Sequence, residues 1–530
     1  MIKAGRYRKL GMTAAPNTAG SNQVPKSSSF ETPMRQVINP QLQLGEQDIG
    51  AIVLDPKSRD DIPQILRGLQ YIYVTPEVRA QVFAILAEVI PEGVDGQADA
   101  TTGRPGMEQW KILVLGTLRL GLNTDYDRVH ELSNEHRTVR QMLGHAGWAD
   151  DETSRYQLQT IKDNLRLFTP DILDRINQVV VRAGHALIKK SPDTPLEVRV
   201  DSFVVETDVH FPTDINLLWD AMRKLILIVA GLCADYGLSG WRQSAYHLRQ
   251  FKKLYRQVQR LKHSSAKDPE VRAAKQEAMH QAYRDYLAYA EDLLVRLRTS
   301  RWELAVGAVA AAFLAPIDLY LSDAERQIDQ IRRRVLLGEV IPHEEKVFSL
   351  FERETEWISK GKAGVPVELG LRTVVVEDQY GFILHHQVMQ KTTDDHVAVP
   401  LMEETITRFP KIVSASFDKG FHSPANQTAL AEMIPQVVMP KKGKLSLVQR
   451  TREQEPDFIR LRHQHSAVES GINALEVHGL DRCLDHGIDG FKRYVALAVV
   501  ARNIQRLGAM LRQQEAEARE RKRGPYRRAA

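Results

Sequence analysis

Apolar residues recur at three- and four-residue intervals in "DIPQILRGLQYIY" and again in "EVRAQVFAILAEVI", a period that predicts amphipathic helices. The same helical pattern runs from about residue 35 to 190. "GRPGMEQWKILVLGTLRLGL" opens a helix after Pro105 and Gly106, and Thr124 with Asp127 reads as a capping box for "DYDRVHELSNE". "HRTVRQMLG" makes a third short helix that carries Arg137 and Arg140. Short helices joined by tight turns fit a helix-turn-helix or an ordinary helical bundle, and the lack of a clear recognition helix favours the bundle.

After "KKSPDTP" the period changes. "LEVRVDSFVVETDV" is rich in Val and Phe, as a strand in a sheet interior would be. Helical patterning then returns for a long block, in which "YHLRQFKKLYRQVQRLKHSSAKDPEVRAAKQEAMHQAYRDYLAYAEDLLVRLRT" predicts two charged helices around a turn. The later chain alternates. "LRTVVVEDQYGFILHHQVM" predicts a hairpin turning at Gln379–Gly381. "DHVAVPLMEETITRF" predicts helix, "KIVSASF" strand, "SPANQTALAEM" helix and "PQVVMP" strand. "QHSAVESGINALEVHG" and "GFKRYVALAVVARNIQRLG" are closing helices. This order predicts an α+β chain, a mixed α/β arrangement of five strands flanked by helices. The expected layout is a flexible basic leader at 1–34, a helical and DNA-binding domain at 35–190, and a discontinuous catalytic domain at 191–213 and 366–510. A helical insertion would fill 214–365 and a basic tail 511–530.

Composition narrows the class. The 530 residues are 43% hydrophobic and 26% charged, the profile of a soluble multidomain chain. Two cysteines, Cys233 and Cys483, make no disulfide framework and point to a reducing, cytoplasmic setting. The longest apolar runs are too short to span a bilayer, and "MIKAGRYRKLG" lacks the apolar region of a signal peptide. The net charge of +5 gathers at the ends, in Lys3, Arg6, Arg8 and Lys9 and in Arg519 to Arg528. Such runs are either solvated tails or contacts to a polyanion. No phosphate-binding G-x-x-x-x-G-K-[ST] loop, H-E-x-x-H zinc motif, paired C-x-x-C or G-x-S-x-G elbow occurs, which excludes the common nucleotide, zinc and serine-hydrolase chemistries.

Carboxylates on the expected strands supply the candidate chemistry. Asp201 interrupts the apolar strand "RVDSFVV", where a charge is costly unless it has a partner or a task. Asp418 ends "KIVSASFD", placed either to hold a cation or to cap the next turn. Glu469 lies beside the apolar stripe of Val468, Ile472 and Leu475, with Arg462, His465 and Asn473 near its face. Taken singly, Asp201 could face water at a sheet edge and Glu469 could be an ordinary surface acid. Hard divalent cations such as Mg²⁺ take oxygen ligands, and metal-assisted phosphoryl transfer needs several carboxylates converging on one sheet edge. Asp208, His210 and Asp214 form a second polar cluster in "TDVHFPTD". A structural role suits it better than ligation, with Asp214 as N-cap of "INLLWDAMRK".

An aspartate in the first strand, another at the end of the fourth and a glutamate on a late helix resemble the DDE transposases of bacterial insertion sequences. "RVDSFVVETDVHFPTDINLLWDAMRK", "SFDKGFHSPAN" and "HSAVESGINALEVHGLDRCLDHGIDGFKRYVALAVVARNIQRL" look like the catalytic blocks of the ISNCY-type group. "GRPGMEQWKILVLGTLRLGL" is similar to that group's amino-terminal helical segment, so the likeness covers most of the chain from about 35 to 508. The resemblance implies an RNase H-like core with a helical insertion after its first strand. It also implies a metal-binding triad of Asp201, Asp418 and Glu469, two Mg²⁺ ions for which Mn²⁺ can substitute, and cutting and joining of double-stranded DNA by a homo-oligomer at the bacterial nucleoid. No nucleotide cofactor or membrane partner is expected. Many relatives carry Tyr-x2-Arg-x3-Glu-x6-Lys around the glutamate. Here those places hold Arg462, His465, Glu469 and Glu476, so no lysine is available from the last position. Arg137, Arg140, Arg462, His465 and Arg482 are the candidate DNA contacts, with Arg460, His463, Lys492 and Arg493 adding positive charge. The alternatives are a catalytically silent DNA-binding regulator derived from such an enzyme, or a host nuclease of the same fold.

Overall fold

The computed structural model describes residues 35–39, 41–90, 106–146, 154–188, 191, 193–261, 267–307, 309–359 and 366–523. The leader expected at 1–34 and residues 524–530 of the expected tail lie outside them.

The amino-terminal helices are α1 (Asp61–Val74), α2 (Pro76–Leu86), α3 (Gln109–Gly121), α4 (Tyr126–Glu135), α5 (Arg137–Met142), α6 (Leu158–Leu165) and α7 (Pro170–Ile188). Helix α4 starts one residue later than the expected capping box. Its N-cap is Asp125, which accepts from the Arg128 backbone N–H, while Thr124 donates to the Arg119 carbonyl. Either residue can cap, and the register of the turn decides between them.

Strand β1 (Leu196–Thr207) leads into the inserted helices α8 (Asp214–Asp235), α9 (Ser244–Arg260), α10 (Pro269–Val306) and α11 (Ala311–Ile331). These four close around a core of their own that includes Leu218, Leu225, Phe251, Tyr286 and Ile317. Thr213, not Asp214, caps α8, because its hydroxyl accepts from the Asn216 N–H and leaves Asp214 free to pair with Arg334 at 2.8 Å. The insertion is not wholly helical, since its end supplies strand β2 (Glu356–Ser359) to the sheet.

The hairpin falls at the expected turn, with β3 (Val367–Asp378), β4 (Ile383–Val388) and Gly381 between them at φ +78°. Helix α12 (Asp394–Arg408), β5 (Ile412–Phe417), α13 (Pro424–Met433) and β6 (Gln436–Val438) follow. The closing segment comprises α14 (Leu447–Glu453), α15 (Pro456–His465), α16 (Ala467–Leu475), β7 (Arg482–Cys483) and α17 (Gly487–Arg523). The single helix expected over 464–479 is therefore divided at Ser466, and α17 continues to Arg523 through much of the expected tail.

All seven strands form one mixed sheet. β1 is central, antiparallel to β3 and parallel to β5, and β6 extends the sheet parallel to β5. The outer edge of β3 takes β2 and β4 in succession, and the two-residue β7 adds to the end of β1. Five strands were expected. β2 and β7 are too short to show a period-two signal.

Alternation along β1 sends its side chains into two cores. Leu196, Val198 and Val200 join α12 and α13 on one face. Phe203 and Val205 face the other, where α16 and α17 pack. That second core is continuous with the apolar faces of α1 to α7, so residues 35–190 share their interior with α17 and the sheet and do not close on a core of their own. Between Tyr494 and Ala501 helix α17 is buried on every side. An amide network ties it in: Asn503 donates to Asn177 (2.6 Å) and to the Ile383 carbonyl (2.8 Å), and accepts from the Ile383 N–H. Burying these amides is tolerated because each bonding group finds a partner.

Candidate functional site

The site begins with register. In the parallel ladder Arg199 sits opposite Ser416 and Val200 opposite Phe417. Asp201 and Asp418 are each the next residue along, so the two carboxylates leave adjacent strands on the same face. That face is the one of Phe203 and Val205, beneath α16. Asp201 is half-buried there, whereas Asp418 is exposed just beyond the end of β5.

Helix α16 brings Glu469 over this ledge. Val468, Ile472 and Leu475 are buried against the core, which fixes the helix's rotation and leaves Glu469 exposed beside them. The helix approaches closely because residue 471 is glycine: a Cβ there would lie 2.5 Å from the Glu377 carboxylate. Glu377 faces Arg199 across the β1–β3 register, with 3.5 Å between carboxylate and guanidinium. At the end of α15, His465 Nδ1 lies 3.1 Å from Ser416 Oγ. Burial lowers the His465 pKa, and Arg199 lowers it further against the opposing pull of Asp418 and Glu469.

A fourth carboxylate approaches from the first turn of α12. Asp394 accepts from the Ser202 hydroxyl at 2.7 Å and lies against Gly420, where a Cβ would meet its oxygen at 2.9 Å. Sequence reasoning passed over Asp394, because an acid in a helix's first turn is ordinary macrodipole pairing. Only the fold brings it beside the strand that carries Asp201.

The electrostatics bind these groups into one site. Burial pushes the Asp201 carboxyl up to about 7, the Ser202 backbone N–H pulls it down, and Asp418, Asp394 and Glu469 each push it further up. Nearby cations are committed elsewhere: Arg199 to Glu377, Arg460 to Glu197 and Asp457, and Arg462 to Glu453. Among the described residues no Lys or Arg ion-pairs with Asp201, Asp394, Asp418 or Glu469. Among those residues, too, no three His, Cys, Asp or Glu side chains are grouped so that they could hold a metal ion. What the arrangement does show is a half-buried carboxylate crowded by acids and lacking a counter-charge, and oxygen ligands of that kind are the ones hard divalent cations take.

The remaining sequence candidates spread out. Arg137 is exposed at the start of α5. Arg140 is 8% exposed and donates to Ser154 Oγ at 2.9 Å, so it lies within the bundle and not on a surface open to phosphate. Arg462 is exposed on α15, and Arg482 on β7 lies 3.5 Å from both Glu206 and Asp208. Arg493 pairs with Asp485, which also accepts from the buried Arg119. The residues of the second polar cluster do not converge. His210 bonds Asp220 at 2.5 Å, while Asp208 and Asp214 turn to different arginines.

Among the described residues no helix is long and apolar enough to cross a membrane. Comparison with protein-family models, with characterised proteins and with solved structures returns no match, so the reading of this site rests on its own geometry.

Proposed function

We propose that the chain is a metal-dependent DDE transposase with an RNase H-like core, and that Asp201, Asp418 and Glu469 are its catalytic carboxylates. The observation that carries this reading is that Asp201 follows Val200 in β1 while Asp418 follows its partner Phe417 at the end of the parallel strand β5, with Asp201 raised to about 7 by burial and by the acids around it. The strand order β2-β3-β1-β5-β6, with β4 also paired to β3 and with β1 antiparallel to β3 and parallel to β5, supports it, as does the helix carrying Glu469 over the same face.

In this reading Asp201, Asp418 and Glu469 would hold two Mg²⁺ ions. Divalent cations bound there supply a lowered pKa for an attacking water or 3′-hydroxyl and charge stabilisation for the leaving oxygen. Each residue's task follows from its position. Asp201 is anchored by the Ser202 N–H (2.7 Å), so its carboxylate is oriented before any ligand arrives. Asp418 and Glu469 are exposed, so they would be open to a cation from the solvent side. Asp394, tied to Ser202, keeps further negative charge near Asp201 and so favours cation loading. DNA is the substrate by the chemistry of the site and by the basic residues outside it. Its ends would be brought together by a multimer.

The test is incubation of the purified chain with duplexes carrying the DNA that flanks its gene, in Mg²⁺ and in EDTA. Mg²⁺-dependent nicks at the element's ends, followed by joined products, support the proposal. Nicks that are never joined make the protein a hydrolytic nuclease instead, and binding without nicks makes it a silent regulator.

A further inference from the structure

The inserted helical bundle carries a feature that the carboxylate site does not use. On α9, Arg249, Lys252, Lys253, Arg256 and Arg260 follow one another at three-, one-, three- and four-residue intervals and are all exposed. They line a groove of about 780 Å³ whose far wall includes Ala278 of α10. No acidic residue lines that groove, and among the described residues none of the five cations is ion-paired. Elsewhere on this bundle arginines are neutralised, as in Arg298 with Glu325, Arg301 with Asp318 and Arg332 with Glu291. The unpaired face of α9 is therefore a local departure from the bundle's own pattern.

Holding five like charges along about 16 Å of helix is unfavourable without a polyanion to neutralise them. The groove's chemistry selects among polyanions. Its aromatic neighbours are turned inward: Phe251 is buried and stacks on Tyr286, and Trp219 stacks on Phe251 and Tyr255. Among the described residues no aromatic side chain lines the groove, so they offer no platform for unstacked bases. Lysine and arginine heads without acceptor groups contact phosphates and do not read base edges.

We propose that the α9 groove of the insertion is a sequence-independent binding surface for the phosphate backbone of duplex DNA, distinct from the carboxylate rim. Lys252 also packs over the Trp219 ring at 5.6 Å, so the other four cations are the ones to neutralise. The choice of DNA as polyanion rests on the reading of the chain as a transposase, whereas the groove's charge does not.

The experiment measures binding of the full chain to a fluorescent duplex of random sequence, by anisotropy, across a range of KCl. The variants are Arg249→Gln, Lys253→Gln, Arg256→Gln and Arg260→Gln combined, and a control in which the three arginines become lysine. Loss of four phosphate contacts should weaken binding at least 10-fold and flatten the slope of log K against log salt by about 3. The lysine control should bind like the parent, which separates lost charge from lost folding. Nicking by the parent chain is assayed separately, so a chain that never cuts DNA but loses duplex binding with the α9 charges upholds this proposal while sinking the transposase reading. Unchanged affinity and slope in the glutamine variant overturn it. So does a variant that keeps duplex binding but loses binding to vesicles of anionic lipid.

Discussion

Asp201 follows Val200 within β1 and Asp418 follows Phe417 just past the end of β5, so the two acids flank the last register pair of two parallel strands, Val200–Phe417. Such residues share a face, so an apolar strand interrupted by one acid and a strand terminated by another converge without any loop to bring them together. Burial first, and then the neighbouring acids, hold the Asp201 carboxyl at about 7.

A divalent cation should relieve that cost. Mg²⁺ or Mn²⁺ at saturating concentration is expected to raise the melting temperature of the parent chain by about 1–3 °C at pH 8, because a ligand bound only to the folded state stabilises it. Asp201→Asn is expected to melt higher than the parent without metal and to show no metal-dependent rise. A differential scanning calorimetry trace showing equal metal shifts in both would remove Asp201 from the ligand set.

Glu377 gives a pH dependence separable from the metal site. Its carboxyl, 5% exposed beside Arg199, is pushed up to about 7 mainly by burial. Between pH 4.5 and 7 the folded state therefore keeps a proton that the unfolded state gives up, and stability falls as pH rises through that window. Glu377→Gln cannot ionise and should lose this slope, narrowing the stability difference between pH 5 and pH 8 by about 1–3 kcal/mol. Urea unfolding at the two pH values measures it, and an unchanged difference would contradict the assignment.

The crossing of α1 and α17 depends on two glycines. A Cβ on Gly508 would sit 1.9 Å from the Gln64 carbonyl, and one on Gly68 would sit 2.2 Å from the Ile504 carbonyl. Both obstacles are backbone and cannot rotate away. Gly508→Ala should cost about 1–3 kcal/mol in urea unfolding, as overpacking of a tight core does. A neutral result would mean that the helices are not held this close.

What the sequence revealed divides along physical lines. β1, the hairpin and β5 were legible because strands covered on both faces are rich in Val, Ile and Phe. β2 and β7 were not, because a sheet can recruit two to four residues that show no period of their own. The boundary expected at 190 failed for a related reason: apolar stripes reveal that a helix is covered but not by what, and α17, from the far end of the chain, covers α1, α3 and α7. Beyond Leu511 that helix looks like a charged tail. It is tied down instead by Arg512 to the Ser58 carbonyl, Gln514 to the Leu187 carbonyl and Glu515 to Arg67. In the site, Asp201 announced itself as a charge in a buried strand. Asp394 and the Arg199–Glu377 pair did not, since each looks ordinary until the sheet register brings it beside Asp201 or α16.

The most direct measurement compares Mg²⁺-dependent nicking of end-containing DNA by the parent, by Asp201→Asn, Asp418→Asn and Glu469→Gln singly, and by the triple variant. If the three carboxylates work as one unit, each single change should lower the rate about 1,000-fold or more, and the triple variant should be scarcely slower than any of them. A single variant that nicks at the parental rate would contradict the account.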